Sequence, residues 1–285
     1  MAIGIVAAVL LSNGPLYALS KSTTPVREAS NKPSLQGYAV KIASGTAANG
    51  AQAALSVSCP SGTVVYGGGV ALKPHVRGAD VQDSYPASTT AWTGGVNNDS
   101  GSAATFNVYA ICADEAPGYT MVQTPQTSNP AGKDTLVQSD CPNGTVDFGG
   151  GVMTTSSSLS VNLDEDMADG PVQNSRKVFS WIADIDNESS GGNTAVGYSI
   201  CGNDLKGFQF VPASVSIPGG TDGSWTLSCP TGLVPLSGGG GADAITKPLD
   251  VLMNSSYPAR GLWKTYFNNN LSSTDGIQGG AVCAK

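Results

Sequence analysis

The stretch CPSGTVVYGGG at residues 59–69 decides the fold, because it returns as CPNGTVDFGGG at 141–151 and as CPTGLVPLSGGGG at 229–241. A Trp and an Asn follow each copy at fixed spacing: Trp92 and Asn98, Trp181 and Asn187, and Trp263 and Asn269 are six positions apart every time. Fourteen more positions lead from each Asn to a closing cysteine, Cys112, Cys201 or Cys283. Upstream, each copy opens on Gly and an aromatic ring, as Gly37-Tyr38, Gly118-Tyr119 and Gly207-Phe208. The chain therefore divides into units at 37–113, 118–202 and 207–284, joined only by 114–117 and 203–206. Repeats of about 80 residues are supersecondary modules copied and stacked. Joints this short favour regular packing of neighbour on neighbour over loosely strung beads.

Within a unit the pattern is that of strands. Leu55, Val57 and Cys59 alternate with Ser56 and Ser58, and Trp225, Leu227 and Cys229 alternate with Thr226 and Ser228. That period of two describes a half-buried strand with its cysteine pointing inward. Pro60 and Gly62 fall at the second and fourth places of a turn starting at Cys59, as do Pro142 and Gly144, and Pro230 and Gly232. Those places suit a type I turn, which predicts a hairpin reversal after each cysteine. The glycine runs that follow are not phosphate loops, since no GK[ST] and no amphipathic helix follows them. Side-chain-free strand residues instead let a backbone or a Trp ring approach closely, or form a bulge. Trp92, Gly94 and Val96 share a face, as do Trp181, Ala183 and Ile185, and Trp263, Thr265 and Phe267, which assigns the three Trp rings to the core. With five or six strands per unit and no convincing helix, the fold class is all-β. It comprises three tandem, pseudo-threefold repeats, each a small antiparallel unit forming a sandwich or the face of a three-sided prism.

Six cysteines, two per unit at equivalent ends, allow fifteen pairings, but a module that folds as a copy selects the pairing within each unit. The expected bridges are Cys59–Cys112, Cys141–Cys201 and Cys229–Cys283. Each closes a loop of some fifty residues or more and is worth about 4 kcal/mol by restricting the unfolded chain. Such bridges belong to an oxidising compartment. Residues 2–11 are apolar or small, broken at Ser12-Asn13-Gly14-Pro15, with a small residue at Ala18. This describes an export signal over 1–18 that lacks the usual basic start and is too short to span a bilayer. Ser, Thr, Pro and Lys then enrich 19–36, as in a disordered lead-in or tether. A secreted or cell-surface location follows, with no transmembrane segment once the signal is removed.

The net charge of -7 hides a more acidic repeat region, because Lys21, Arg27, Lys32 and Glu28 precede it. Eleven basic and 20 acidic residues remain, a balance of -9 that repels phosphate backbones and argues against nucleic acid as a partner. His75, the one histidine, has no counterpart in the other units and no GxSxG elbow beside it, which describes a loop histidine rather than a catalytic relay. Asp164, Glu165, Asp166 and Asp169 form the densest carboxylate run. On a regular strand Asp164 and Asp166 share a side about 7 Å apart, which suits calcium held by Asp164, Asp166 and Asp169 or a glycosidase pair. A solvated acidic loop is the plainer reading, as the order of a known calcium loop is missing. Ser84-Tyr85-Pro86-Ala87 returns as Ser256-Tyr257-Pro258-Ala259, making Tyr85 and Tyr257 candidate flat contacts for a sugar or a protein, or rings that cover their own sheet.

The region 37–284 resembles exported, glycine-rich bacterial repeat proteins with a CPxGTxxxGGG, W, VYAxC unit. Here the endings are VYAIC, GYSIC and GAVC, and the third copy departs most, with Leu233 in place of Thr and a displaced glycine run. The resemblance implies secretion and a repeated β module, and no activity or functional residue comes with it. The residues point to a non-enzymatic binding or adhesion protein for a glycan or surface protein. A structural exoprotein is the alternative, and a carbohydrate-active hydrolase using Asp164–Asp166 is a third reading.

Overall fold

Alternation becomes strand throughout: nineteen strands and no α-helix form among the described residues. The computed structural model describes residues 32–170, 177–242 and 250–285, so the expected signal and most of 19–36 lie outside it. Unit 1 supplies β1 (Ala39–Ala47), β2 (Ala51–Ser58), β3 (Val64–Lys73), β4 (Ala79–Ser88), β5 (Ala91–Asn98) and β6 (Ala104–Ala113). In unit 2 the first strand is split into β7 (Thr120–Gln123) and β8 (Thr127–Asn129) around Pro125, which has no N–H for the ladder. There follow β9 (Lys133–Asp140), β10 (Val146–Thr154), β11 (Val161–Ala168), β12 (Ser180–Asn187) and β13 (Asn193–Gly202). Unit 3 supplies β14 (Gln209–Ile217), β15 (Asp222–Ser228), β16 (Val234–Ala242), β17 (Val251–Ala259), β18 (Leu262–Asn269) and β19 (Asp275–Ala284).

The three sheets run β1-β6-β3-β17-β18-β15, β2-β5-β4-β10-β13-β7 with β8 also on β13, and β14-β19-β16-β11-β12-β9. Every sheet is thus half one unit and half another, and units 1, 2 and 3 close a ring through three seams. Three antiparallel sheets fit the prism rather than the sandwich, but each face is built from two units where the sequence predicts one unit per face. The hairpin predicted after each opening cysteine is absent: β2 pairs with β5 and β3 with β6, so the turn carries the chain from one sheet to the next. A hairpin would leave both strands in one sheet with its inner face uncovered, whereas the crossing sets two apolar faces opposite each other. The turn also differs from type I. It closes from Thr63 N–H to Pro60 O (3.1 Å), Thr145 to Pro142 (3.1 Å) and Leu233 to Pro230 (3.0 Å). Gly62, Gly144 and Gly232 hold φ of +85°, +89° and +81° at the third place, where a type II turn needs a left-handed residue. Leu233 therefore leaves the turn of unit 3 intact.

The three predicted disulfides are present, with Cα–Cα distances of 5.6, 5.6 and 5.9 Å, and each ties the two sheets to which its unit contributes. Inside, Trp92, Trp181 and Trp263 are buried as expected. The glycine run explains itself position by position. A bulge at Tyr66, Phe148 and Leu236 drives those fully buried side chains into the centre, where the Tyr66 and Phe148 rings lie 5.2 Å apart. Gly68, Gly150 and Gly238 lie against the Trp ring of their own unit, and a methyl group there would overlap it. Gly69, Gly151 and Gly239 lie against the backbone of Ser256, Ser84 and Asp166 across the seams, with no room for a Cβ.

Each opening aromatic docks on another unit. Tyr38 donates to Pro235 O (2.9 Å), Tyr119 donates to Val65 O (2.7 Å), and Phe208 packs edge-on against Phe148 at 6.1 Å. The end of the lead-in is held as well. Lys32 pairs with Asp204 at 2.8 Å, Leu35 N–H donates to Lys285 O at 2.7 Å, and Lys206 N–H donates to Pro33 O at 2.9 Å. The tether expected over 19–36 therefore ends against the body from Lys32 onward.

Candidate functional site

Tyr85 and Tyr257 sit on β4 and β17, the strands that meet β10 and β3 at two seams. Each ring stacks on a tyrosine from the unit across its seam: Tyr85 on Tyr198 at 5.5 Å and Tyr257 on Tyr109 at 5.4 Å. Their first role is to cover the seam, and burial pushes both hydroxyls above the ordinary tyrosine range. At the β3–β17 seam the row extends to Tyr266, over which the exposed His75 ring stacks at 3.6 Å. His75 Nδ1 lies 3.1 Å from Asn254 Oδ1 and 3.2 Å from Ser255 Oγ. That hydroxyl is fully buried, accepts from Leu72 N–H and donates to Asn254. Partial burial, then the nearby Lys264 and Lys73, hold the imidazole below its usual pKa. Beside the stack opens a groove of about 610 Å³ with Tyr109 and Tyr257 on its floor, Val40 and Ile42 of edge strand β1 on one wall, and Lys73 and Arg260 at the rim. Ile42 is 55 % exposed there.

A second group of residues comes from a bulge shared by β4, β11 and β17, which displaces Gln82, Asp164 and Asn254 from regular alternation. Two of these are amides that hold the next unit's loop. Gln82 donates to Ser156 O (2.8 Å) and Thr154 Oγ1 (3.3 Å), and Asn254 donates to Val76 O (3.0 Å) and Ala79 O (2.8 Å). Asn97 and Asn268 act alongside them, donating to Asn162 Oδ1 (2.8 Å) and Asp80 Oδ1 (2.6 Å). The third seam replaces both amides by carboxylates, Asp164 and Asp186, which cannot donate. Among the described residues, the Oδ1 atoms of both are buried and find no hydrogen-bond partner.

The same bulge overturns the pairing expected of the acidic run. Asp164 and Asp166 do not share a side, because the inserted residue breaks the period of two between Leu163 and Glu165. Asp166 is 4 % exposed and accepts from Trp181 Nε1 at 2.5 Å, where the other units place Ser84 (3.3 Å from Trp92 Nε1) and Ser256 (2.9 Å from Trp263 Nε1). It is the acceptor for a core indole, closed to substrate. Asp169 accepts from Ser180 Oγ at 3.2 Å. Asp164 instead joins Asp134 of β9 and Asp184 of β12, three carboxylates that each offer an oxygen within 4.8 Å of the others. Glu165 lies opposite Asp184, and Asp186 opposite Asp134.

Electrostatics follow from that crowding. Burial pushes Glu165 up to about 7 with help from Asp184 and Asp169, and Asp186 up to about 8 with help from Glu188, Asp134, Asp250 and Asp184. Asp164 is raised well above the carboxylate range by burial first and then by Asp184, Asp134, Glu165 and Asp186. Asp134 and Asp184 are both raised above the carboxylate range, by burial first, and their carboxyl groups face each other closely enough to share a proton. Among the described residues, none of these carboxylates is in an ion pair.

Asp134 and Asp184 were not singled out by the sequence reading. The signal that would find them is alignment of the copies outward from Trp: Asp184 stands where the other units have Gly95 and Tyr266, and Asp134 where they have Gln52 and Asp222. Of the five Asn-x-Ser/Thr sites, Asn98, Asn187 and Asn254 are buried, which leaves Asn143 and Asn270 open to modification. Three disulfides fit an oxidising compartment, and no helix among the described residues is long and apolar enough to cross a membrane. Comparison with known protein families and with curated proteins finds no match to this chain.

Proposed function

We propose that the chain is an exported binding or adhesion protein that takes a glycan in the groove over Tyr109 and Tyr257. The groove carries the reading: its apolar lining of Tyr109, Tyr257, Val40 and Ile42 offers contact area for sugar C–H groups, while Lys73 and Arg260 at the rim offer donors to hydroxyl oxygens. Three disulfides and the resemblance to exported repeat proteins support an extracellular setting. The test is a glycan array followed by affinity measurement on Lys73→Ala and Ile42→Ser, which leave the core untouched. A drop of about tenfold in both variants is expected, equivalent to about 1.4 kcal/mol. An array with no hits, or unchanged affinity in both variants, overturns the glycan reading.

A structural exoprotein is the second reading, favoured by sheets shared between units and bridged by cystines, which give a rigid scaffold. Self-assembly or retention by the cell wall in fractionation is its signature. The hydrolase reading loses its basis in Asp166, whose carboxylate serves Trp181.

A further inference from the structure

We propose that Asp134, Asp164 and Asp184 form a calcium site, with Glu165 and Asp186 at its margin. This is independent of the glycan groove, which lies in another sheet. The three carboxylates come from adjacent strands β9, β11 and β12, and each offers an oxygen within 4.8 Å of the other two. Calcium takes oxygen ligands at about 2.3–2.6 Å, so oxygens on opposite sides of one ion lie about 5 Å apart and adjacent ones closer. The spread of the cluster suits one such ion.

A second observation points to a ligand. Asp164 is 3 % exposed, its Oδ1 has no hydrogen-bond partner, and its carboxylate is aimed into the cluster. A carboxylate so placed is costly unless a cation or a proton compensates it. The equivalent residues of the other units, Gln82 and Asn254, have every reason to be there, because they donate to loop carbonyls. Asp164 makes no such bond, and ligation gives its carboxylate a role in place of theirs. The donors are all hard oxygens, without His or Cys, which selects calcium over zinc or copper.

Among the described residues, the charged groups that act on the cluster and its margin are acidic: Glu165 and Asp186 act on Asp164, Asp169 acts on Glu165, and Glu188 and Asp250 act on Asp186. Protons and calcium therefore compete for the same oxygens. Binding should strengthen as pH rises, when those protons leave.

Melting of EDTA-treated full chain, with and without millimolar calcium chloride, tests this at about pH 8 and about pH 5. A rise of about 5–10 °C is expected at the higher pH, with a much smaller one at the lower. Asp184→Asn and Asp164→Asn should abolish the rise, and Asp166→Ser should retain it. Calorimetric titration of calcium chloride into the wild-type chain gives the measurement that needs no variant, with one ion bound per chain expected. No rise at the higher pH, a rise that survives both Asn variants, or no saturable heat would overturn the site.

Discussion

The seams of this prism share one backbone and differ in their side chains. At the seams between units 1 and 2 and between units 3 and 1, the bulge presents Gln82 or Asn254, and a neighbouring Asn97 or Asn268 completes the clamp on the next unit. At the seam between units 2 and 3 the same positions carry Asp164 and Asp186. Neutral amides donate and accept, so in each of those two seams the bulge residue itself carries no titratable group, and the acids there, Asp80 and Asp83, accept from Asn268 and from Thr154 N–H. Carboxylates only accept, so the seam they line depends on what neutralises it, whether protons or a cation. Geometry was copied three times, whereas chemistry was replaced once.

The harshest test of the shared backbone is a methyl group at the crossing glycines. Gly69→Ala, Gly151→Ala and Gly239→Ala each drive a Cβ into the neighbouring backbone, and each should cost about 3 kcal/mol in denaturant unfolding. Equal losses support one common crossing, and a mild loss at Gly239 alone would show that the acidic seam is looser. Next come the amide clamps. Asn254→Ala strands the buried Ala79 carbonyl and should cost about 1–3 kcal/mol, and Gln82→Ala, whose Ser156 acceptor is half-buried, should cost less, both read from the same unfolding curves. Asp164→Asn should do the reverse and raise the midpoint of metal-free protein at neutral pH.

The difference between seams should also appear as pH dependence. Glu165 and Asp186 are raised in the folded state, to about 7 and about 8, so they hold protons that the unfolded chain releases near its ordinary carboxylate range. Their contribution to stability is complete below that range and lost as pH rises through the folded values. Metal-free protein should thus lose melting temperature between about pH 5 and about pH 8, and neutralising Asp134, Asp164 and Asp184 together should reduce the slope, the remainder coming from Asp80 and Asp83, which burial raises to about 7 and about 6. A flat wild-type profile would contradict the raised carboxyls of the seam between units 2 and 3. Asp166→Ser is a gentler probe. It gives Trp181 the partner that Trp92 and Trp263 already have and removes a buried carboxylate, so stability should rise slightly, more at about pH 8 than at about pH 5. Smallest of all, His75→Ala removes an exposed ring stack on Tyr266 and should cost about 0.5–1 kcal/mol.

How much of this was legible beforehand depended on range. The Trp faces, the cystine pairs and the glycine run were readable because each is a local or copied constraint: a period of two, a repeated spacing, a residue without a side chain. The chain crosses between sheets after Cys59 where its sequence predicts a hairpin, because a Pro-Gly turn looks the same whether its strands join one sheet or two, and only the pairing of β2 with β5 and β3 with β6 decides between them. Asp164 and Asp166 part from their predicted shared side for the opposite reason. Alternation is a rule for unbroken strands, and a single inserted residue in β11 sent one carboxylate to Trp181 and the other to Asp134 and Asp184.

By itself, then, the sequence determined a triplicated all-β chain locked by three cystines, since copying and alternation are properties of neighbours along the chain. Closure of the three units into one prism, the tyrosine stacks across its seams and the meeting of Asp134, Asp164 and Asp184 were decided only in three dimensions. Those contacts join residues tens to hundreds of positions apart, and their partners are chosen by which strand edges and inner faces are left to be covered.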